Sequence, residues 1–449
     1  MHDLPARLPG AQRNLLLKHL PEPRMLCTMR SVKLLPGTAF FTGRRSFAAG
    51  VSKEAEPLKK LVYISQSNDV FTNLALEDWL YKQGDFKNSR ALLLWRNSPC
   101  VVVGRHQNPW VEANADFCAE KRIPIARRNS GGGTVYHDLG NLNCTFFTSR
   151  DEYDRKANLE MIRTAVWDTY GLDLVVNKRD DIEWRGQKVS GTAAKLGRDV
   201  AYHHCTVLVH SDRSMLQKAL RTGGVKGGYE SKATISVPAK TACLREAEPS
   251  ARVSDVMNAI GRVFLQNPIE DKHGNTVPSE AGGYQLLNPS DYWFPGLGST
   301  RRDLASWDWV YGKTPNFSFS RTYSLPKAHN AGNNPQEHGI ASVTVTLHVT
   351  NGMVTETEIK ENDSFSQTGG SDLMHISALK GQRFTEHLLD AAVQRTVSAA
   401  MNAYPRGSSG NHRAFSPGPR LTQRSLIMES ERNHDPMDRE YVNSILTCA

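Results

Sequence analysis

Short apolar runs and helically spaced apolar positions begin near residue 60 and continue with few breaks to about 265. Residues 61–65 read as a strand. Residues 70–82 read as a helix whose apolar face carries Leu74, Ala75, Leu76, Trp79 and Leu80, with Asn73 and Glu77 one turn apart. Two buried strands, 92–95 and 100–104, are separated by Asn97-Ser98-Pro99, and 115–121 is a short helix. Strands follow at 134–136 and 143–147 around a turn at 138–141, then a helix at 158–170 that Gly171 ends. Strand 172–176 precedes a hairpin of 181–184 and 187–194 turning at Arg185-Gly186, and 201–210 is a further strand. Strands and helices mix without strict alternation, which predicts an α+β fold with a mixed, mostly antiparallel sheet and packed helices.

Beyond 265 the pattern changes. Residues 266–300 are rich in Pro, Gly and Asn and read as a long connection. A smaller α+β unit follows, with a hairpin of 340–349 and 353–360 around Asn351-Gly352 and a helix at 384–401. From 403 onward the chain is rich in Arg, Ser, Pro, Asn and Gly without apolar periodicity, the composition of a disordered tail. The first 50 residues hold six arginines and two lysines against Asp3 and Glu22, with leucines between and Arg44-Arg45-Ser46-Phe47 at the close. That is the make-up of a mitochondrial presequence, and Met25 offers a second start within it.

The 449 residues suit two domains with terminal extensions. No apolar run approaches the ~20 residues of a membrane-spanning helix, so no membrane partner is expected. The net charge of +9 admits an acidic partner, and no nucleic-acid-binding motif accompanies it. Seven scattered cysteines without a Cys-x-x-Cys pair argue against a zinc site or a disulfide framework and for a reducing compartment, so no metal is expected.

The chemistry concentrates in 126–143. Arg127-Arg128 supply fork-shaped cationic donors suited to phosphate or carboxylate. Gly131-Gly132-Gly133 leave a bare backbone that a ligand can approach. A surface loop explains three glycines alone, but not Arg-Arg, Ser130, His137-Asp138 and Gly140-Asn141 around them. This string resembles the signature of the lipoate–protein ligase A and lipoyltransferase family, Arg-Arg-x-Ser-Gly-Gly-Gly-x-Val-x-His-Asp-x-Gly-Asn, with every fixed position filled. Residues 104–110, 201–206 and 309–315 are similar to segments of vertebrate mitochondrial lipoyltransferases, and the resemblance spans about 60–400.

The resemblance implies a biotin/lipoate ligase-like catalytic domain over 58–265, a linker over 266–305 with an insertion at 267–285, and a small domain over 306–402. The presequence then occupies 1–50 and the tail 403–449. The family's second signature, Lys-Val-Ser-Gly-x-Ala, falls on 188–193 and makes Lys188 the catalytic residue, bridging the acyl carbonyl and the phosphate of an acyl-adenylate. One ammonium near both oxygens stabilises the charge that develops as the adenylate leaves. By the same resemblance Trp95, Arg127, Ser130, Gly131, Gly132, Gly133 and His137 bind the lipoyl chain. Tyr136, Arg179, Lys188, Thr206, Thr234 and Ser236 contact the nucleotide.

The implied protein is a monomeric lipoyltransferase of the mitochondrial matrix. Its donor is lipoyl-AMP or a lipoylated carrier. Its acceptors are the lipoyl domains of 2-oxo-acid dehydrogenase acyltransferase subunits and the glycine-cleavage H-protein. No tightly bound cofactor is expected, and Mg2+ only with a full ligase activity. The alternatives are a complete ATP-dependent lipoate–protein ligase and transfer through a cysteine thioester at Cys205, beside His203 and His204. A biotin–protein ligase would need a Gly-Arg-Gly-Arg loop that is missing, and the retained Lys188 argues against a non-catalytic carrier-binding protein.

Overall fold

The computed structural model describes residues 57–220, 228–270, 275–326, 340–361 and 374–403. The presequence, the second start and the tail beyond 403 lie outside the described residues, as does 271–274 of the expected insertion.

The chain enters through β1 (Leu58–Ser65). Asp69 opens α1 (Val70–Gln83) by accepting a 2.9 Å bond from the Thr72 amide. β2 (Ser89–Trp95) and β3 (Cys100–Val103) are almost wholly buried, as their unbroken apolar runs require. Asn108 and Asn114 cap the short α2 (Pro109–Glu112) and α3 (Ala115–Glu120). β4 (Ile125–Arg127) and β5 (Val135–His137) bracket the glycine segment, and β6 (Asn141–Ser149) runs back from the turn. α4 (Arg155–Tyr170) ends at Gly171, whose φ of +65° is the left-handed conformation a glycine supplies freely.

A narrow ribbon of β7 (Val175–Val176), β8 (Ile182–Trp184) and β9 (Gln187–Lys188) leads into β10 (Ser190–Leu196) and β11 (Val200–Leu208). The strand expected at 187–194 is thus divided at Val189, which is buried. α5 (Arg213–Ala219), β12 (Tyr229–Ser231), α6 (Leu244–Ala247) and α7 (Val253–Gln266) follow. After β13 (Ile269–Glu270) and β14 (Thr276–Val277) come β15 (Ser279–Leu287), α8 (Leu297–Ala305) and α9 (Trp307–Val310). β16 (Phe317–Pro326), β17 (Ile340–Thr350), β18 (Met353–Glu361), α10 (Met374–Ser377) and α11 (Glu386–Ala403) complete the described chain.

Among the described residues the largest sheet has the strand order β10-β11-β6-β2-β1-β15. β1 pairs in parallel with β2 and β15, and the other pairs are antiparallel. Side chains alternate across it, so its two faces feed separate cores. Leu92, Leu94, Leu142, Cys144, Phe146, Cys205 and Val207 face α4 and α7. Ala91, Leu93, Trp95, Phe147 and Tyr202 face α1, together with Phe294, Leu297, Leu304 and Val310. Each fully buried leucine contributes about 1.5–3 kcal/mol to this packing.

The stretch expected as a linker is therefore not a bare connection. β15 joins the sheet beside β1, and Phe294 meets Trp79 edge-on at 5.0 Å. β15 escapes a hydrophobicity reading because nearly all its side chains are exposed, and main-chain pairing alone makes it a strand. A second sheet, β12-β16-β17-β18, packs Phe317, Phe319, Val345 and Leu347 against Phe384 and α11, with Trp110 of α2 in the same core. Its hairpin turns at Asn351 and Gly352, both at positive φ (+51° and +73°), as the Asn-Gly pair predicts.

Candidate active site

The glycine segment connects β4 and β5, which flank β3 in a small sheet of their own. Its shape is set by Arg128. That buried guanidinium donates to the carbonyls of Gly131 and Gly133, both at 2.7 Å, and of Val102 at 3.1 Å. Burial lowers the Arg128 pKa to about 10, so it is cationic at neutral pH. Bare backbone is needed at two points. Gly132 sits at φ +91° with Thr192 O only 3.1 Å from where a Cβ would be, and a Cβ on Gly104 would fall 2.1 Å from Gly132 O.

Two neighbouring cavities lie beside this segment and share Val135, Gly191 and Thr206 as wall. The larger, about 240 Å3, is walled by Thr134, Tyr136, Lys188 and Ser190, with Glu112 and the strap 235–239 across it. The smaller, about 20 Å3, lies among Leu74, Trp95, Val102, Arg128, His137 and His204.

In the larger cavity the Lys188 ammonium rests 2.7 Å from Asp181 Oδ1. Its main chain is tied to the end of the strap, with Lys188 N donating to Lys240 O at 2.9 Å and Ala242 N to Lys188 O at 3.0 Å. Ser236 pins the middle. Its N–H donates to Glu112 Oε1 at 3.0 Å and its hydroxyl to the other Glu112 oxygen, while its Oγ accepts from Thr134 N at 2.8 Å and Gln107 Nε2 at 3.0 Å. Burial pushes the Tyr136 phenol up, so it stays neutral.

The smaller cavity ends on a polar network. Glu77 Oε1 takes the Thr145 hydroxyl at 2.8 Å and lies 3.0 Å from His204 Nδ1, and Trp95 Nε1 donates to Thr145 Oγ1 at 3.2 Å. His137 is fully buried, and desolvation, His204 and Arg128 hold its pKa well below the usual value, so the ring is neutral. Asn97 Oδ1 is taken by Asn73 Nδ2 at 2.9 Å, which leaves Asn97 Nδ2 to donate to His137 Nδ1 at 3.0 Å. The ring proton is therefore on Nε2, which has no partner among the described residues.

Of the residues expected from sequence, Tyr136, Lys188, Thr206 and Ser236 meet in the larger cavity, and Trp95, His137 and Thr206 in the smaller. Ser130 to Gly133 run alongside without forming wall: Gly131 N reaches Ala194 O at 3.4 Å, and the Gly133 backbone lies against Ser236.

Three expectations are corrected. Arg127 is fully buried away from both cavities, and its donors are used on the carbonyls of Gly104, Arg105, Gln107, Trp309 and Val310 and on Thr314 Oγ1. Arg179 is exposed and walls neither cavity, since its turn is held outward by Asn177. Thr234 is a strap anchor, its N–H donating to His106 O at 3.0 Å, and does not wall the cavity.

The thioester route also fails on geometry. Cys205 is fully buried on the α4/α7 face of the sheet, whereas its neighbours His204 and Thr206 turn toward the cavities. Glu112 and Asp181 carry no signal in the sequence, and Arg128 and His204, named there as a ligand-binding cation and a neighbour of Cys205, take the different places described above. The pairing of Asn73 with Glu77 on α1 was the visible hint of the inner network.

A narrow slot that shares wall residues with a larger cavity holding a lysine is an arrangement suited to an activated acyl chain, and the sequence places the chain in a family. Residues 69–265 match the lipoyl protein ligase A/B catalytic domain, and the chain belongs to that family: it is an acyltransferase that places lipoyl groups on proteins. It is 38% identical to the mitochondrial lipoyl amidotransferase LIPT1 of Homo sapiens over 340 residues, 75% of this chain and 85% of that protein. It is 36% identical to lipoate-protein ligase A of Psychrobacter cryohalolentis over 58% of this chain and 75% of that protein. The crystal structure of P. falciparum LipL1 with lipoate covers 75% of this chain and 94% of its own, at TM-score 0.49 and 24% identity.

Proposed function

We propose that the chain is a mitochondrial matrix lipoyl amidotransferase that takes lipoyl-AMP as donor and a lysine of a lipoyl domain as acceptor. The observation that carries this reading is the shared wall of Val135, Gly191 and Thr206 between a narrow apolar slot and a larger cavity with Lys188, Thr134, Ser190 and Ser236 in its wall. The lipoyl tail occupies the slot between Trp95, His137 and His204, and the adenylate lies in the larger cavity under the Ser236 strap. The acyl carbonyl then falls at the junction, where Lys188 reaches both it and the phosphate after leaving Asp181. The acceptor amine attacks the carbonyl carbon, a C–N bond forms, and the C–O bond to phosphate breaks. AMP departs with the electron pair and the amine gives up a proton. The ammonium gains most as charge builds on both oxygens, so its effect falls on the transition state.

The slot has room for about one water in its present shape. Entry of an eight-carbon chain therefore requires the slot to widen, and the long 3.4 Å bond from Gly131 to Ala194 of β10 beside it is a contact that yields readily. Acceptors of the class are lipoyl domains of 2-oxo-acid dehydrogenases and the glycine-cleavage H-protein.

The test is mass spectrometry of an apo-lipoyl domain incubated with the enzyme and lipoyl-AMP. Lys188→Ala is expected to slow transfer by ~10²–10³-fold or more while leaving the protein folded, and an undiminished rate would remove Lys188 from the chemistry. The likeness to a bacterial ligase favours a second reading, a complete ligase, tested in the same assay with lipoate, ATP and Mg2+ in place of the adenylate. Lipoylation under those conditions would replace the transferase-only reading.

A further inference from the structure

The ribbon that carries Lys188 has two unlike faces. Ile182 is buried in the core and Trp184 packs against it. The opposite face presents Val175, Glu183 and Lys188 as one cross-strand row, with Val175 58% exposed. The carboxylates of 177–188 are already engaged. Asp180 pairs with Arg155, Asp181 with Lys188, and Glu183 accepts from the Asn177 side chain. Lys178, Arg179 and Arg185 are exposed, and none has a carboxylate partner among the described residues. Arg185 is held over the Trp184 ring at 4.8 Å rather than left free.

These cations stand close to the reaction. Arg179 is two residues from Asp181, whose carboxylate touches the Lys188 ammonium. Arg185 is three residues from Lys188, at most about 10 Å of extended chain. They wall neither cavity, so they are not placed to hold the adenylate phosphate.

We propose that this ribbon is the docking surface for the acceptor, and that the acceptor presents an acidic protein face to it. Carboxylates lie opposite Lys178, Arg179 and Arg185, and an apolar side chain lies against Val175. The inference rests on the reading that Lys188 serves acyl transfer to a protein amine. An acceptor lysine reaches the carbonyl on a four-carbon stem, so the surface around that lysine has to come down beside Lys188, onto the ribbon. Exposed cations there steer the approach and set its register more than they deepen the final affinity.

The test uses the full chain with Lys178→Glu, Arg179→Glu and Arg185→Glu combined. Three quantities are measured: the Kd for an acidic apo-lipoyl domain at low and high salt, the KM and kcat for that domain, and the rate of lipoyl-AMP aminolysis by hydroxylamine, a small neutral nucleophile that needs no docking. The expected result is a Kd and KM raised on the order of ten-fold at low salt, little change in kcat, and an unchanged hydroxylamine rate. High salt brings the wild type toward the variant. Unchanged affinity for the domain overturns the proposal. So does an equal loss with hydroxylamine, which would move the cations to the adenylate. The milder triple alanine variant is expected to fall between wild type and the charge reversal, and equality with wild type counts against the ribbon. If the wild type fails to acylate either nucleophile, the transferase reading falls, and the binding measurement still decides the docking surface.

Discussion

Arg127 and Arg128 are neighbours in sequence with opposite surroundings. Side chains alternate along a strand, so two adjacent arginines at the end of β4 cannot both turn toward one ligand. Arg128 closes the glycine segment from inside, whereas Arg127 fastens the 104–107 turn to Trp309 and Val310. The pair was legible as important, but its division of labour depends on which face β4 buries. Arg127→Ala leaves several buried carbonyls without a donor and is expected to lower stability by about 2–4 kcal/mol in urea unfolding. Its effect on transfer should follow the loss of folded protein. Cys205→Ala is expected to keep the transfer rate, with no acyl-thioester adduct in the wild type by intact-protein mass spectrometry. A trapped adduct on Cys205 would reverse the assignment made from its burial.

At the scale of elements, the glycine segment lies against β10 beside the slot, with Gly131 N reaching Ala194 O at 3.4 Å. The contacts of the two glycines predict unlike outcomes. Gly104→Ala drives a methyl into the Gly132 carbonyl and should cost several kcal/mol, seen as a clear drop in Tm, together with loss of transfer. Gly131→Ala meets nothing within 4 Å and should stay within about 0.5 kcal/mol of wild type in the same melt. The strands and helices of the sheet core were readable because burial imposes a period on them. β15 was not, because its partner is the β1 backbone and its side chains face solvent. The strap had no readable period either: Ser236 pins it to buried Glu112 while Thr234 and Lys240 tie its ends, contacts that only the folded chain brings together.

For the whole molecule, two buried histidines set an acid limit. His137 lies well below its ordinary pKa, and desolvation, His204 and Arg155 lower His203 to about 3. Both are neutral when folded, while the unfolded chain protonates them below about pH 6.5. The unfolded state then binds more protons, so stability rises with pH across this window and is lost on acidification. Each group is expected to contribute a slope of up to roughly 1.4 kcal/mol per pH unit below about 6. Urea midpoints at pH 5 and 7 check this, and His203→Asn should flatten the slope. The overall charge of +9 was a poor guide to partners, because much of it sits in the first 50 residues. The informative charge is the local set beside Lys188.

The guanidinium of Arg127 reaches forward to main chain laid down some 180 residues later. A polypeptide released before Trp309 would possess every residue that walls the two cavities and would leave the Arg127 guanidinium without its Trp309, Val310 and Thr314 acceptors. Premature stop codons well downstream of the chemistry are thus expected to be null alleles.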